Sequence, residues 1–458
     1  MELDRTTRRL RPPVRTVRRL LPRTGLPRLP RRGPWLYLVM MGPGLITASA
    51  GNDAGGVATY AQAGAAYGTK LLWAMLITAV SLVVVQEMCA RMGAVTGKGL
   101  SDLIREEFGI GWATLAMVSL LIANSAITIS EFVGINAATR VIANEGAFAG
   151  TAVGALLPFI VVPLAAIGLW WLVTKGSRGP VERVLLLMTL VFFAYIPAAI
   201  IGEHDWGGVL HSMVTPTLGG KGDSGLIAFL IPLVGTTISP YMQFFVQSSV
   251  VEEGGTPATY RYTRASVVGG SLFAILIAMF IIIATAATLY SSHKYANVTD
   301  ASVFAVALKP VLGAWAETLF AVGLFGASLL AAAVLPLSTA FAICEVFGFE
   351  SGVDKSFAEA PVFNGIFSGL IALAAIVSLV LPKDALVTVL LTTQAINGLI
   401  LPIVLLFVLR LINNRRLMGR YTNGPLFNAI AYASTAILVV LSVLLVVGTV
   451  FHVGPAAG

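Results

Sequence analysis

Residues Gly51-Asn52-Asp53-Ala54-Gly55-Gly56 lie inside an otherwise apolar stretch of about membrane-spanning length. A carboxylate at that depth is costly unless it is paired or solvated, and three glycines weaken the helix around it. Irregular backbone survives there only where protein buries it or where it borders a wet cavity. A plain alternative is a flexible kink whose Asp pairs with another helix; the chemistry of the residues points instead to cation binding. A second segment, Pro232-Leu233-Val234-Gly235-Thr236-Thr237-Ile238-Ser239-Pro240-Tyr241, brackets a run of small hydroxyl residues between Gly235 and Pro240. Pro240 lacks a backbone donor and clashes with the turn before it, so carbonyls of that turn lose their partners. The candidate ligands are then the carboxylate of Asp53, carbonyls from Asn52, Ala50 or Thr236, hydroxyls from Thr237 and Ser239, and the side-chain amide of Gln394. Gly56 leaves room beside them. All of these donors are oxygen, a set that suits Mg²⁺, Ca²⁺ or Mn²⁺ and gives softer metals no advantage. The one sulfur to weigh against this is Met242, three residues past Ser239, which reaches the site if the helix unwinds locally.

These two segments need elements to hold them. Apolar runs of about 20 residues number roughly eleven, centred near residues 45, 80, 123, 163, 192, 238, 277, 320, 371, 398 and 440. The runs near 45, 238 and 320 are interrupted by Gly or Pro. Interruptions in spans one and six, five helices apart, mark an inverted 5+5 repeat with a binding site near the membrane midplane. The fold expected is an all-α polytopic membrane protein of about eleven spans. Residues 1–33 form an Arg-rich tail, 34–458 the transmembrane transporter domain, with a first repeat at about 34–203, a second at about 222–413 and an extra helix at about 425–452.

Of the 458 residues, 57% are hydrophobic and 11% charged, which excludes an ordinary soluble protein. Cys89 and Cys344 sit in apolar helices as small hydrophobes, and His204, His211, His293 and His452 show no metal-ligand spacing. No metalloprotease or serine-hydrolase motif is present, which argues against an enzyme. Eleven arginines lie within residues 1–33 against only Glu2 and Asp4. Prolines break that run, so a disordered cytoplasmic tail is expected, serving as a topology signal or touching anionic lipid rather than nucleic acid. With the tail inside, the loops bearing Arg91, Lys98 and Arg105; Lys175, Arg178 and Arg183; Arg261 and Arg264; and Arg410, Arg415, Arg416 and Arg420 all fall inside as well. The opposite loops hold Lys221, Lys294 and Lys383. The expected location is the inner (plasma) membrane, multi-pass, with the N-terminus cytoplasmic.

The segment Gly42-Pro43-Gly44, followed by Asn52-Asp53-Ala54-Gly55-Gly56, Ala58-Thr59-Tyr60 and Gly64, resembles the first helix of the Nramp family of divalent-metal transporters, whose motif is Asp-Pro-Gly-Asn. The resemblance continues through Gln86, Arg91-Met92-Gly93, Thr96-Gly97-Lys98, Ser130-Glu131-Phe132-Val133-Gly134, Gln394 and Leu417-Met418-Gly419, and spans most of residues 40–420. It implies a LeuT-like inverted-repeat fold and carriage of Mn²⁺ or Fe²⁺, usually with protons. The departures are specific. The family aspartate stands as Asp53, but its asparagine is Gly56 and its proline Ala54. The family's Met-Pro-His in helix six is Ser239-Pro240-Tyr241, so a sulfur ligand and a proton-route histidine are replaced. Its Asp-x-x-Glu in helix three is Thr128-Ile129-Ser130-Glu131, so one acid of that route is absent. These departures, with Glu252-Glu253 after helix six, resemble the Nramp-related branch that carries magnesium.

Gly56 and Ser239 are smaller than asparagine and methionine, so a wider cavity is expected, fitting an ion that keeps several waters. Glu131 is read either as a buried acid paired with Arg140 or another helix, or as a coupling residue with Thr128 and Tyr241. Glu87 and Arg91, one turn apart, are expected to pair. Glu252 and Glu253 are read as a negative vestibule or a solvated helix end. The function expected is alternating-access transport of a hard divalent cation, Mg²⁺ first and Mn²⁺ second, as substrate and with no cofactor, without proton coupling. The rivals are a proton-coupled Mn²⁺/Fe²⁺ importer and a sodium-coupled symporter for a small organic substrate. Oligomeric state is not legible.

Overall fold

Asp53 precedes the first described helix and caps it. Its backbone is extended, with φ −67° and ψ 176°, and its Oδ1 accepts the Gly56 N–H at 2.6 Å, satisfying one of the donors that a helix N-terminus leaves open. The computed structural model describes residues 52–144, 150–175, 190–217, 225–252, 254–290, 298, 300–352 and 355–451. The Arg-rich tail and Ala50 lie outside them, as does Glu253.

The helices that follow in order are α1 Ala54–Tyr67, α2 Leu72–Thr96, α3 Leu100–Phe108, α4 Ile110–Ala143, α5 Ala152–Lys175, α6 Tyr195–Gly202, α7 Trp206–Val214, α8 Leu226–Thr237, α9 Pro240–Glu252, α10 Tyr260–Thr288, α11 Ala316–Phe347, α12 Pro361–Val380, α13 Leu386–Ile412 and α14 Pro425–Phe451, with short turns between some of them. Among the described residues nine stretches are long and apolar enough to cross a membrane, α8 with α9 counting as one. Two further expected spans are described in part. Helix α1 is the second half of the one centred near 45, and Leu190–Gly202 is a shorter apolar helix near 192.

The sixth span is broken where the sequence places the break. Helix α8 ends at Thr237, Ile238 turns out of helical geometry at φ −121° and ψ 67°, and α9 begins at Pro240. Helices α8 and α9 hold 12 and 13 residues, about 18 and 20 Å of rise, so the break sits near the middle of a hydrocarbon layer of about 30 Å. The run near 320 behaves differently. Its irregular turns stop at Trp315, and α11 then continues unbroken through Gly323, Gly326 and Pro336. There the glycines serve close packing: a Cβ on Gly134 of α4 would overlap Ser328 of α11. Helices α8 and α13 approach in the same way, with a Cβ on Gly235 overlapping the Gln394 carbonyl.

Burial ranks the helices. The window across α8 and α9 is 83% buried, against 22% for α5 and for α14. The broken span is thus central and the other two peripheral. The outer faces of α5 and α12 expose Leu164, Ile167, Ile376 and Val380, as lipid-facing helices do. At the basic end, Arg91 pairs with Glu87 at 3.1 Å, as the one-turn spacing predicts, and donates to the Tyr421 carbonyl at 3.1 Å. Arg264 of α10 reaches Glu87 at 4.0 Å, and both guanidinium groups lie over the Phe427 ring. That network ties α2, α10 and α14 together beside the basic loops.

Candidate cation site

The start of α1 faces the break between α8 and α9. Tyr60 of α1 lies 3.0 Å from the Thr237 hydroxyl at the end of α8. Asp53, at the start of α1, is 1% exposed; one of its oxygens caps the helix, and Oδ2 has no hydrogen bond among the described residues. Thr236 Oγ1 is likewise buried without a hydrogen bond. Such atoms cost free energy unless something occupies them. The positive end of α1 and the negative, carbonyl end of α8 meet here, which is the arrangement in which broken helices bind ions.

Pro240 does release carbonyls, and Ser239 covers them. Its hydroxyl donates to the carbonyls of Gly235 at 3.0 Å and Thr236 at 3.2 Å. Ser239 keeps its lone pairs for a ligand, while the Thr236 carbonyl is already shared. Thr237 is more fully engaged, donating to the Leu233 carbonyl at 2.7 Å while meeting Tyr60. Met242, the candidate sulfur, lies in the first turn of α9, and its Sδ accepts from Gln86 Nε2 of α2 at 3.7 Å. The helix is not unwound there, so that sulfur is directed at α2.

Asn52 is buried at the break. The Gly56 N–H is the donor that holds Asp53. Gln394 reaches α1, where its amide nitrogen packs against Gly55 and its Oε1 accepts Asn397 Nδ2 at 2.9 Å. Nitrogen faces α1 in this rotamer. Turning both amides by 180° preserves a bond between them and presents the oxygen of Gln394 instead. Glu131 does not pair with Arg140, whose Nε donates to Asn136 Oδ1 at 2.8 Å. Nine residues along α4 separate Glu131 from Arg140, about 13 Å of helix, beyond an ion pair. Instead Glu131 Oε2 accepts the Ala54 N–H at 3.3 Å, so the first turn of α1 holds two carboxylates. Thr128 donates back along its own helix to the Asn124 carbonyl at 2.6 Å, and Tyr241 is buried in the first turn of α9. Glu252 ends α9.

Sequence reasoning missed Tyr60, Ser328 and Asn397. Single hydroxyl or amide residues in apolar helices carry no spacing signal; only the packing brings them to the break. Among the described residues no three His, Cys, Asp or Glu side chains converge as a metal cluster. What the described residues offer between the start of α1 and the end of α8 is the Asp53 carboxylate and neutral oxygens.

A model of the Nramp family, described as natural resistance-associated macrophage protein-like, matches residues 44–448. The chain belongs to the Nramp family. The divalent metal cation transporter MntH of Pectobacterium carotovorum is 26% identical over 418 residues, 90% of this chain and 95% of that protein. MntH of Yersinia pestis is 29% identical over 301 residues, 64% of this chain and 69% of that protein. The manganese transporter of Eremococcus coleocola, crystallised with an aromatic bis-isothiourea compound, superposes at a TM-score of 0.70 with 16% identity, covering 91% of this chain and 88% of that one. Mhp1, a nucleobase-cation-symport-1 family transporter in a closed conformation, superposes at 0.52 with 14% identity, covering 90% and 93%. At such identities the two structures speak for the fold, the LeuT-like repeat expected from the paired breaks. This Nramp chain is thus a multi-pass membrane protein built on that fold, with Asp53 at the start of α1 and oxygen donors at the end of α8.

Proposed function

We propose that this Nramp chain transports a hard divalent cation across the plasma membrane by alternating access, with Mg²⁺ preferred and Mn²⁺ second, and that it is not an enzyme. The observation that carries the reading is the donor set at the break: Asp53 Oδ2, the Thr236 and Ser239 hydroxyls and no sulfur, with Met242 turned onto Gln86. Oxygen donors suit Mg²⁺ and Mn²⁺ alike. Small residues at 56 and 239 favour the ion that keeps its waters. The family and its divalent-cation-carrying relatives support a divalent substrate. The bias of basic loops supports a cytoplasmic N-terminus. The repeats are assigned to about 34–203 and 222–413, with 1–33 as a cytoplasmic tail. Two positive charges moving inward gain about 4.6 kcal/mol per 100 mV, enough to drive accumulation without a nucleotide-hydrolysing domain.

One observation favours a second reading, a proton-coupled Mn²⁺ importer: Glu131 is bonded to the residue next to Asp53. The two readings separate in proteoliposomes. Saturable Mg²⁺ entry, monitored by an internal dye and competed by Mn²⁺, is the expected result. Saturable Mn²⁺ entry with no Mg²⁺ entry would remove the magnesium assignment.

A further inference from the structure

Helix α2 carries an apolar stripe that the other described helices leave open. Leu76, Ile77 and Val80 are exposed and Val83 is half-buried. At about 100° per residue, all four fall within about 60° of the direction of Val80 on the helix circumference. Hydrogen bonds fix what stands on either side. Ser81 of α2 bonds Ser434 of α14 at 2.7 Å, and Gln86 of α2 accepts from Ser271 of α10 at 3.1 Å. Ser81 points about 100° to one side of Val80 and Gln86 about 120° to the other. The stripe is therefore the floor of a groove walled by α14 and α10.

Glu87 continues the stripe, about 20° from the direction of Val80, and there the groove ends. Arg91 and Arg264 meet on Glu87 at 3.1 and 4.0 Å, and both lie over Phe427 of α14, 5.6 and 5.9 Å from its ring centroid. Arg91 is buried and fully engaged, donating also to the Tyr421 carbonyl and to Asn423 Oδ1. The Arg264 side chain is half-exposed and touches Glu87 only at the longer distance. Arg420, also exposed, lies over the Tyr421 ring at 5.1 Å. Three guanidinium groups thus stand at the head of the groove, and Glu87 is the one carboxylate paired to them among the described residues. From Leu76 to Glu87 the stripe runs about 16 Å along the helix. That is close to the depth of one leaflet, half of a hydrocarbon layer of about 30 Å.

An apolar floor one leaflet long, with an excess of positive charge at its head, has the shape and charge of a single lipid. We propose that this groove binds a phospholipid of net negative headgroup. Its phosphate is held by Arg264 and Arg420, and one acyl chain lies on Val83, Val80, Ile77 and Leu76 between α10 and α14. Guanidinium groups meet phosphate oxygens with paired N–H donors. The excess positive charge favours a headgroup that carries no compensating ammonium. An acidic peptide would satisfy the arginines and leave the apolar floor bare. A lipid seated here spans α10 and α14 and holds both against α2.

Thermal unfolding of the purified full-length chain in detergent, followed by tryptophan fluorescence, tests this. The additions are phosphatidylglycerol, phosphatidylcholine of the same acyl chains, and inorganic phosphate. Phosphatidylglycerol is expected to raise the midpoint saturably by a few degrees. The other two are expected to leave it nearly unchanged. Arg264→Gln is expected to reduce the phosphatidylglycerol response to that of phosphatidylcholine, and Arg264→Lys to retain part of it. Val80→Trp, which fills the floor, is expected to weaken the response with every arginine in place. Arg416→Gln, which removes an exposed arginine from the turn after α13, is expected to keep it. Equal stabilisation by the two lipids overturns the proposal, as does an equal shift with inorganic phosphate, which would be an anion site without a groove. A response that survives Arg264→Gln overturns it too, and so does one lost equally in Arg416→Gln, which would be the general charge of the basic end. If Arg264→Gln does not fold, Val80→Trp decides, and an unchanged response there overturns the proposal. Cation uptake plays no part in this readout, so failure of the transport reading leaves it standing.

Discussion

Tyr60 of α1 and Thr237 at the end of α8 join the two helices directly: the phenol lies 3.0 Å from the threonine hydroxyl, which also donates to the Leu233 carbonyl at 2.7 Å. Thr237 is thereby occupied by the protein, while its neighbour Thr236 keeps a buried hydroxyl without a hydrogen bond. The two threonines, adjacent in the sequence, differ in their hydrogen bonding.

Thr236→Val is therefore expected to raise the half-saturating Mg²⁺ concentration about tenfold, the loss of about 1.4 kcal/mol of ligand interaction. Thr237→Val is expected to change it less than about threefold and to cost stability instead, about 1 kcal/mol for a lost hydrogen bond. Uptake curves and unfolding midpoints for the two variants check this. Equal effects on affinity would mean that Thr237 also faces the ion.

Asp53 both caps α1 and offers Oδ2 to the site, so its substitution has two separable consequences. Asn retains a capping oxygen and removes the charge; Ala removes both. Cation uptake is expected to vanish in both variants. Only Asp53→Ala should lower stability, by about 1 kcal/mol for the lost cap. Full uptake by well-folded Asp53→Asn protein would show that the carboxylate is not a ligand.

The break in the sixth span and the helix start at Asp53 were legible because Gly, Pro and Asp in apolar runs are costly. The nine long spans follow from hydropathy for the same reason. What the sequence left open was direction. Met242 was within reach of the site by spacing, and only the intact first turn of α9 turns its sulfur onto Gln86. Glu131 offered Arg140 as a partner on the same helix, whereas its bond is to a backbone N–H 77 residues away in the chain. The interruption expected near 320 failed because glycines in α11 serve helix crossing, and a list of glycines does not distinguish a break from a close approach. Ser328 gave no signal, since an isolated serine in an apolar helix usually bonds its own backbone, as Ser125 does.

Selectivity is expected to follow size and softness at positions 56 and 239. Ser239→Met with Gly56→Asn introduces a thioether, narrows the space and uncovers the Gly235 and Thr236 carbonyls that Ser239 now serves. Mg²⁺ uptake should fall about tenfold or more and competition by Cd²⁺ or Mn²⁺ should strengthen by a similar factor, since soft sulfur favours those ions over Mg²⁺. Competition assays in vesicles give the answer. Unchanged ion preference in the double variant would place selectivity elsewhere.

Coupling is decided by which groups near the break can relay a proton. Thr128 is spent on the Asn124 carbonyl at 2.6 Å, and a threonine does not titrate in the working range. Tyr241 stands where the resemblance read from the sequence places a histidine, and an ordinary phenol titrates at about 10, too high for a relay near neutral pH. Glu131 remains, bonded to Ala54, with Thr128 and Tyr241 where the resemblance read from the sequence implies an aspartate and a histidine. The expected outcome is electrogenic cation entry with no stoichiometric proton flux. Vesicles clamped at a fixed potential with valinomycin, carrying a pH dye inside, measure both at once. Cation-dependent acidification that disappears in Glu131→Gln would return the chain to the proton-coupled members of its family, with Glu131 as the carrier. Unchanged internal pH during Mg²⁺ entry in the parent chain leaves the membrane potential, acting on two charges per ion, as the driving force.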